Sequence, residues 1–308
     1  MKMWKLAGCP IPLWPLMLGG ERRLVGFESM NAVVNFYKRI RGIQWRNPPS
    51  PGVVRTPPAR DESPSAEDLT VFVTTVGDQP NFSDCMAHLQ AQTVRVPIDI
   101  IDHVAPMSEA FQEMHRRCRT DYYLQVDEDM ILFPEAIETM RGWMRSAAWN
   151  VAMICSPLWD CDAERAIYGL KIYRSSIVKN FPYENTLSCE INQRARLERA
   201  GYHVVLHPLG ERSSCLGEHG KHYTPESIFK RWQRCFRKHR RFCHMDWIEP
   251  YAQRLLERYV ATGQTLHLYA FLGAVAGIVG APAVDAELDW RDPNSAFEDL
   301  RHYFPPDC

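Results

Sequence analysis

Three consecutive acidic residues, Asp127-Glu128-Asp129, directly follow a run from Tyr122 to Val126 that reads as a buried strand. Because side chains alternate along an extended backbone, the two aspartates can point the same way and hold a hard divalent cation through oxygen. Such an ion would neutralise a diphosphate, which is the leaving group of an activated nucleotide. The alternative interpretation is a solvated acidic turn without a ligand.

Two more aspartates, Asp78 and Asp102, follow predicted strands of their own. The segments that position these side chains alternate between strand and helix. This order predicts an α/β fold with a mostly parallel central sheet flanked by helices, in which ligands bind beyond the carboxyl ends of the strands. The predicted strands are 69–75, 96–101, 122–126, 151–156, 167–173 and 202–206. The predicted helices are 80–90, 107–118, one beginning at Pro134, 189–200, 224–241 and 250–261.

The motif order from residue 68 to residue 130 is that of a known family. A first strand leads to a helix with a Gln90-Ala91-Gln92-Thr93 turn, a second strand ends in Asp102, and a third runs into Asp127-Glu128-Asp129. This resembles the nucleotide-binding half of a GT-A-fold glycosyltransferase of the broad inverting family 2 type. The likeness extends over residues 68–225. One departure is His103-Val104-Ala105, where the family usually has Asp-Gly-Ser.

The resemblance implies roles for the residues at the strand ends. Asp127 would touch the ribose or the metal, Asp129 would bind the metal, and the metal would be Mn²⁺ or Mg²⁺. The donor would be a nucleoside-diphosphate sugar, and a UDP-sugar is favoured. The residues expected to line the base and ribose are Thr75, Gly77, Asp78 and Asp102.

Glu190 opens a predicted helix that ends at Gly201-Tyr202. The segment is similar to the acceptor-side element of the same family, and the resemblance implies that Glu190 is the general base. A base in that place takes a proton from an acceptor hydroxyl as the hydroxyl attacks the anomeric carbon, which predicts inversion. The alternative is a first-turn acid that stabilises the helix dipole.

The segment Gly217-Glu218-His219-Gly220-Lys221-His222 has the glycines of a mobile loop. The resemblance implies a histidine here as a further metal ligand, with His219 favoured over His222. Imidazole suits Mn²⁺ better than Mg²⁺. Lys221 is expected to neutralise the departing diphosphate. The alternative is that these are ordinary polar side chains of a surface loop.

A basic helix is predicted after Thr224, with aromatic residues between its cations. Such a patch on a neutral protein indicates a polyanionic acceptor, an anionic membrane surface or nucleic acid. The alternative is a solvated face that pairs with acids elsewhere. The candidate residues for polyanion binding are Lys230, Arg231, Arg234, Arg237, Lys238 and Arg241.

Length and composition set the frame for these motifs. The 308 residues are 45% hydrophobic and 24% charged, with a net charge of −1, which excludes a mostly disordered chain and a chain-wide polyanion-binding surface. The 10 cysteines form no C-x-x-C pair, and no secretory signal is recognisable at the N-terminus, so we expect reduced thiols in the cytoplasm. Residues 266–284 are apolar and glycine-rich and predict either a core helix or a membrane contact, the latter as a peripheral protein.

Three regions are predicted: an irregular N-terminal extension with a proline-rich linker (1–67), a nucleotide-sugar and acceptor domain (68–225) and a helical C-terminal region (226–308). The predicted function is metal-dependent transfer of a sugar to an acceptor hydroxyl on a glycan or lipid-linked glycan. The alternatives are transfer to hydroxylated bases of DNA through the basic helix, nucleotidyl transfer, and a non-enzymatic anion-binding scaffold. The sequence does not predict the oligomeric state.

Overall fold

The computed structural model describes the backbone of residues 68–77, 80–186, 188–241 and 245–279, four strands within residues 3–25, and Phe297. Side chains are described for 68–77, 80–186, 188–237, 252–278 and Phe297. Asp78, one of the predicted nucleotide-binding residues, lies outside the described residues, as do the side chains of Lys238 and Arg241.

Strands and helices alternate from residue 69 to residue 127, as the sequence predicts, and beyond residue 127 several elements of the same kind follow one another directly. The strands are β1 (Met3–Leu6), β2 (Cys9–Pro12), β3 (Trp14–Leu18), β4 (Glu21–Val25), β5 (Leu69–Thr75), β6 (Ile98–Asp102), β7 (Tyr122–Asp127), β8 (Met130–Leu132), β9 (Val151–Asp160), β10 (Arg165–Arg174), β11 (His203–Leu206) and β12 (Gly217–His219). The helices are α1 (Asn81–Gln90), α2 (Met107–Arg117), α3 (Ala136–Ser146), α4 (Ser175–Val178), α5 (Cys189–Arg199), α6 (Pro225–Arg241), α7 (Met245–Thr262) and α8 (Thr265–Val279).

The central sheet confirms the α/β class. Its order is β6-β5-β7-β10-β9-β12-β8, and β11 pairs with β9 outside this path. β5 is parallel to β6 and β7, and β9 is parallel to β11 and β12. β10 runs antiparallel to both β7 and β9, so the sheet is mixed at its centre.

Both faces of this sheet are covered. Val71 and Val73 of β5 pack into one hydrophobic cluster, while Phe72 between them packs into the other. Helices α1 and α3 contribute to the first cluster through Leu89 and Met140, and α2 contributes to the second. The alternation with period two explains why a strand that reads as continuously apolar is buried on both sides.

Residue contacts divide the chain into two compact units. One comprises 49–222 and 284–292 and contains the central sheet; the other comprises 1–48, 223–283 and 293–308. In the second unit β1 pairs with β2 and β3 with β4 as antiparallel hairpins, where the sequence predicts an irregular extension.

Helix α8 accounts for most of the apolar segment 266–284. Two glycines let it pack closely against α6. A Cβ added to Gly273 would lie only 2.3 Å from the carbonyl oxygen of Phe229, and a Cβ added to Gly277 would lie only 2.4 Å from the carbonyl oxygen of Gln233. α8 has 15 residues, while a helix that crosses a bilayer needs about 20. Across the part of the chain that the structure describes, no helix has the length and apolar character to cross a membrane.

Candidate functional site

The carboxyl ends of β6, β5 and β7 form the edge at which the predicted nucleotide-binding residues meet. In the parallel register Thr75 stands opposite Asp102, and Thr74 stands opposite Asp127. The strand ends therefore place Thr75, Asp102 and Asp127 side by side, in the position where open α/β sheets bind ligands.

Asp127 lies in a strongly negative environment. Burial raises the pKa of its carboxyl, and the nearby carboxylates of Asp129 and Glu190 raise it further. Two groups oppose this effect: the ammonium of Lys171, and the hydroxyl of Thr74, which donates a hydrogen bond of 2.7 Å to Asp127 Oδ1. The surplus of negative charge at this edge is what a bound cation would relieve.

The same electrostatic surplus acts on a cysteine near the acidic turn. The pKa of the Cys85 thiol is raised to about 12, chiefly by burial and to a smaller extent by the carboxylates of Asp129, Asp127 and Glu128. The thiol is 3.8 Å from the carbonyl oxygen of Asp127. No disulfide joins any of the cysteines that the structure describes.

Glu128 has a different role from its two neighbours. Its carboxylate accepts hydrogen bonds from the hydroxyl of Thr75 and, at 3.1 Å, from the backbone N–H of Val76. Its own backbone N–H donates to the carbonyl oxygen of Thr74 at 3.0 Å. Glu128 thus fixes the turn that follows β5.

The turns after β5 and β6 touch each other. Gly77 has φ of +80°, and an added Cβ would lie 3.2 Å from Cε1 of His103, so glycine is favoured there for two reasons. His103, itself at φ +52°, donates its N–H to the carbonyl oxygen of Thr75 and contacts Asp102 through its ring. More than half of the Asp102 side chain is exposed, so it remains accessible to a ligand.

His219 lies beside Asp129, as a shared ligand site requires. Strand β12 inserts between β8 and β9, which brings His219 Nε2 to 3.5 Å from Asp129 Oδ1. The backbone N–H of Gly220 donates to the carbonyl oxygen of Asp129 at 2.9 Å. Both side chains are partly exposed, at 18% for His219 and 23% for Asp129.

Asp160, at the end of β9, is a residue that the sequence analysis missed. It is 1% exposed, and its Oδ1 accepts the backbone N–H groups of Asp162 and Ala163 at 3.1 and 2.7 Å. Its Oδ2 lies 3.8 Å from His219 Nδ1. Carboxylates that orient metal-binding histidines accept the ring N–H in a hydrogen bond, whereas His219 Nδ1 is buried and has no hydrogen-bond partner among the described residues, so Asp160 supplies a nearby charge only.

The structure brings two candidate metal ligands together, the carboxylate of Asp129 and the imidazole of His219. Within residues 68–77, 80–186 and 188–237, no group of three or more acidic, histidine or cysteine side chains is placed to hold a metal ion. His222, the second predicted histidine ligand, is instead engaged elsewhere: its Nε2 is 2.8 Å from Asp84 Oδ2. This hydrogen bond lowers the pKa of Asp84.

Glu190 opens α5, as predicted, and contacts two residues from neighbouring strands. Lys171 Nζ of β10 is 2.7 Å from Glu190 Oε1, and Gln125 Nε2 of β7 donates to the same oxygen at 3.1 Å. About a third of the Glu190 side chain, 30%, is exposed. Neither Lys171 nor Gln125 was singled out from the sequence, because nothing in the residues around them signals that β10 lies beside β7.

The basic residues of α6 are partly engaged within their own unit. Lys230 pairs with Glu226, and the guanidinium of Arg231 lies 5.0 Å from the ring centroid of Tyr223. Arg234 is buried, at 8% exposure. Polyanion binding by α6 stays a prediction.

Lys221 belongs to the unit that contains the central sheet. It is exposed, and its charge lowers the pKa of Asp84 after the larger effect of the His222 hydrogen bond. Its contact with a diphosphate stays a prediction.

Comparison with known proteins finds similarity in structure and none in sequence. No family model matches the sequence, and no curated protein matches it either. The structure is similar to a mannosyltransferase from Pyrobaculum calidifontis in complex with GDP-Man and Mn²⁺, at 11% identity and a TM-score of 0.43, covering 91% of this chain and 90% of that one.

Two further solved structures share part of the fold. Glucosyl-3-phosphoglycerate synthase from Mycobacterium tuberculosis, in complex with Mg²⁺ and UDP, is 11% identical with a TM-score of 0.40, covering 55% of this chain and 79% of that one. A 4-diphosphocytidyl-2C-methyl-D-erythritol synthase from Anaerococcus prevotii is 6% identical with a TM-score of 0.34, covering 51% and 92%.

Proposed function

We propose that the chain is a metal-dependent glycosyltransferase that moves a sugar from a nucleoside-diphosphate sugar to an acceptor hydroxyl. The observation that carries the proposal is the arrangement of two carboxylates at one sheet edge. Asp127 lies where negative charge is in surplus, and Glu190 lies nearby with a lysine against it. The first environment suits a cation with a diphosphate, and the second suits a carboxylate that stays ionised.

Asp129 and His219 would hold the metal, with Asp127 beside them and the charge of Asp160 3.8 Å from the imidazole. A donor set of carboxylates and one imidazole suits Mn²⁺, and Mg²⁺ less well. The chemistry that such an ion supplies is stabilisation of the negative charge that develops on the leaving diphosphate. Asp129 and Glu190, whose charges would attract the ion, also raise the pKa of Asp127 in addition to the larger effect of burial.

The nucleoside would lie along the edge formed by Thr75, Gly77 and Asp102, with Asp78 as a further expected contact. Asp102 is exposed and can accept hydrogen bonds from ribose hydroxyls. Gly77 is exposed, so the backbone of this turn is accessible to a base. A UDP-sugar is the favoured donor, and Lys221 would approach the diphosphate.

Glu190 would act as the general base. It accepts the proton of the acceptor hydroxyl while the hydroxyl oxygen forms a bond to the anomeric carbon and the bond from that carbon to the diphosphate oxygen breaks. Attack from the side opposite the leaving group inverts the anomeric centre. The acceptor is proposed to be a glycan or a lipid-linked glycan. The reaction would take place in the cytoplasm, and a lipid-linked acceptor would be bound at the membrane surface.

Product analysis tests the reaction class. The full chain is incubated in Mn²⁺ with UDP-sugars and GDP-sugars in one series and with UTP or GTP plus sugar 1-phosphates in another, and phosphorus NMR follows the released species. Slow transfer to water releases a nucleoside diphosphate, whereas nucleotidyl transfer from a nucleoside triphosphate to a sugar phosphate releases pyrophosphate. Nucleoside diphosphate release that needs Mn²⁺ and Glu190 supports the proposal, and pyrophosphate release overturns it.

A separate titration tests the nucleic-acid alternative. If α6 binds DNA, the affinity for a duplex must fall steeply as salt rises, since each phosphate contact releases counterions. Weak binding without that dependence removes DNA as the acceptor and leaves the sugar-transfer proposal unchanged.

A further inference from the structure

Four residues form an ordered row across β7 and β10. Because the two strands are antiparallel neighbours, Lys171 pairs with Gln125 and Tyr173 pairs with Tyr123. Residues two apart share a face of the sheet, so these four side chains lie on one side, with Asp127 next along β7. The row leads from a buried aromatic pair, whose ring centroids are 4.8 Å apart in a stacked arrangement, to the site edge.

The hydrogen bonds in this row have one consistent direction. Tyr173 donates its hydroxyl proton to Gln125 Oε1 at 3.1 Å, so the amide nitrogen of Gln125 faces Glu190 and donates to its Oε1. Burial raises the pKa of Tyr173 well above its usual range, and the hydroxyl therefore keeps its proton. Gln125 and Tyr173 are each 1% exposed, which leaves this network little freedom to rearrange.

Lys171 brings a positive charge to this row of side chains. Burial alone would lower the pKa of its ammonium, but the carboxylates of Glu190 and Asp127 and the thiol of Cys155 outweigh this effect and raise it. Lys171 thus stays positive across the neutral range. Its ammonium acts on both halves of the site: it contacts Glu190 at 2.7 Å and attracts the charge of Asp127.

Other titratable groups also interact electrostatically with Glu190. They come from the strands and loop packed against it, and none of them carries a positive charge. These groups are Asp127, Cys155, Tyr123, Tyr173 and Tyr183. Burial raises the pKa of all five, so the tyrosines and the thiol stay neutral at neutral pH. Lys171 supplies a positive charge in direct contact with Glu190, whereas Arg194, four residues further along α5, pairs with Glu198.

We infer that Lys171 is a positioning residue that holds Glu190 ionised and directed at the acceptor, with Gln125 and Tyr173 fixing the geometry of the contact. This inference rests on the proposed function of Glu190 as the base. Lys171 touches neither the sugar nor the diphosphate in this role; it acts through the Glu190 carboxylate. An opposite charge at this distance favours the ionised form of a carboxyl group by about one to three pH units.

Carbon-13 NMR of the full chain with labelled glutamate carboxyls tests the contact without any substrate. The Glu190 resonance is assigned by its loss in Glu190→Gln, and its titration is followed in Lys171→Met and Lys171→Arg. We expect the midpoint to rise by about one pH unit or more in Lys171→Met and to stay near wild type in Lys171→Arg. An unchanged midpoint in Lys171→Met overturns the inference.

A matched control removes a cation from the same helix as Glu190. Arg199 is exposed and lies nine residues further along α5, about 13 Å away at the helical rise. Arg199→Met should therefore leave the Glu190 midpoint where it is in the wild type. An equal rise in both variants would mean that Lys171 acts only through overall charge, and it would overturn the specific contact.

The pH profile of turnover separates this inference from the proposed function. With a UDP-sugar that the wild type turns over in Mn²⁺, the acid limb of kcat/KM should move up in Lys171→Met by the same interval as the NMR midpoint. If the midpoint moves but the acid limb does not, Glu190 is not the base, and both claims fail. If the midpoint stays while Glu190→Gln still abolishes turnover, the base survives and only the role of Lys171 fails.

Tyr173→Phe keeps the test decisive if Lys171→Met does not fold. It removes only the hydroxyl that orients Gln125, and a thermal melt checks its fold. The Glu190 midpoint should rise by a few tenths of a pH unit, the scale of one lost neutral hydrogen bond one step removed. No rise in Tyr173→Phe, together with none in a folded Gln125→Met, overturns the inference.

Discussion

Two carboxylates at one sheet edge, Asp127 and Glu190, lie in opposite electrostatic surroundings. Asp127 is part-buried near other acids, and its pKa is raised. Glu190 has an ammonium 2.7 Å away and an amide donor on the same oxygen. The first has a surplus of negative charge around it and the second has a counter-charge in contact. The difference favours cation binding on the Asp127 side and proton transfer on the Glu190 side.

The largest effect is expected from Glu190→Gln, which removes the proton acceptor and keeps the size of the side chain. Turnover of a nucleotide sugar should fall by about 10²- to 10⁴-fold, the usual contribution of a positioned acid or base. Binding of the nucleotide should not change, because Glu190 is not among the residues proposed to bind the cation or the nucleotide. Glu184→Gln, an exposed acid that pairs with Arg196, is the control. Wild-type turnover in Glu190→Gln would falsify the base assignment.

The next largest effect is a loss of stability at low pH through His115, which packs against the buried aromatic pair Tyr123 and Tyr173 behind Glu190. Its Nε2 is 3.0 Å from the hydroxyl of Tyr123, whose ring stacks on Tyr173. Burial, together with the smaller effect of the charge of Lys179, lowers the pKa of His115 from 6.5 to about 4. The unfolded chain therefore binds this proton more readily than the folded one, and stability is lost as the pH falls from 6.5 towards 4.

Urea unfolding measures this loss. Between pH 7 and pH 4 the free energy of unfolding should fall by about 3 kcal/mol through His115, since lowering a pKa by one corresponds to about 1.4 kcal/mol. His115→Gln should show a shallower fall over this interval, whereas His103→Gln, which is exposed, should follow the wild type. Identical pH dependence in His115→Gln and the wild type would mean that His115 is not held neutral in the fold.

Asp160→Asn sharpens the cation side of the comparison. The change keeps the shape of the side chain but removes the charge 3.8 Å behind His219. Mn²⁺ affinity, measured by calorimetry without a nucleotide sugar, should fall by about 10- to 100-fold, because a negative charge near the imidazole that would bind the cation is removed. Asp99→Asn, a partly exposed acid on β6 that pairs with Arg117, is the control. Equal affinities in Asp160→Asn and the wild type would remove Asp160 from the site.

Thr74→Val has the smallest expected effect. Thr74 donates to Asp127 and lowers the pKa of its carboxyl, so the variant should bind Mn²⁺ with a midpoint about 0.5 to 1 pH unit higher. Thr70→Val is the matched control, since it removes a hydroxyl from the same strand at the opposite end. A midpoint that stays put would show that the charge of Asp127 does not contribute to metal binding.

The sequence predicts the cation side better than the acceptor side. Asp102 and Asp127 follow short apolar runs, and parallel strands carry their ends to one edge, so local pattern and topology agree. His219 lies beside Asp129, as the resemblance implies, although ligation there remains a proposal. Each of these residues is at or next to the end of its own strand, where the local sequence indicates it.

The residues that the sequence did not reveal are those brought in by long-range pairing. Lys171 and Gln125 lie within strands, and only the antiparallel insertion of β10 beside β7 joins them to Glu190. Asp160 was missed because Pro157 suggests the end of a strand, whereas β9 continues to Asp160. A proline is tolerated there, and Pro157 still accepts the N–H of Leu216 through its carbonyl oxygen.

The most direct test of the cation side is a thermal-shift experiment with UDP, with and without Mn²⁺, on the wild type and Asp129→Ala. A ligand that binds the folded state raises Tm by mass action. We expect UDP to raise Tm of the wild type only when Mn²⁺ is present, and this rise to vanish in Asp129→Ala while persisting in Glu109→Ala, an exposed acid on α2. A Mn²⁺-dependent rise of the same size in Asp129→Ala, or a rise with UDP that needs no metal, contradicts the assignment of cation binding to this edge.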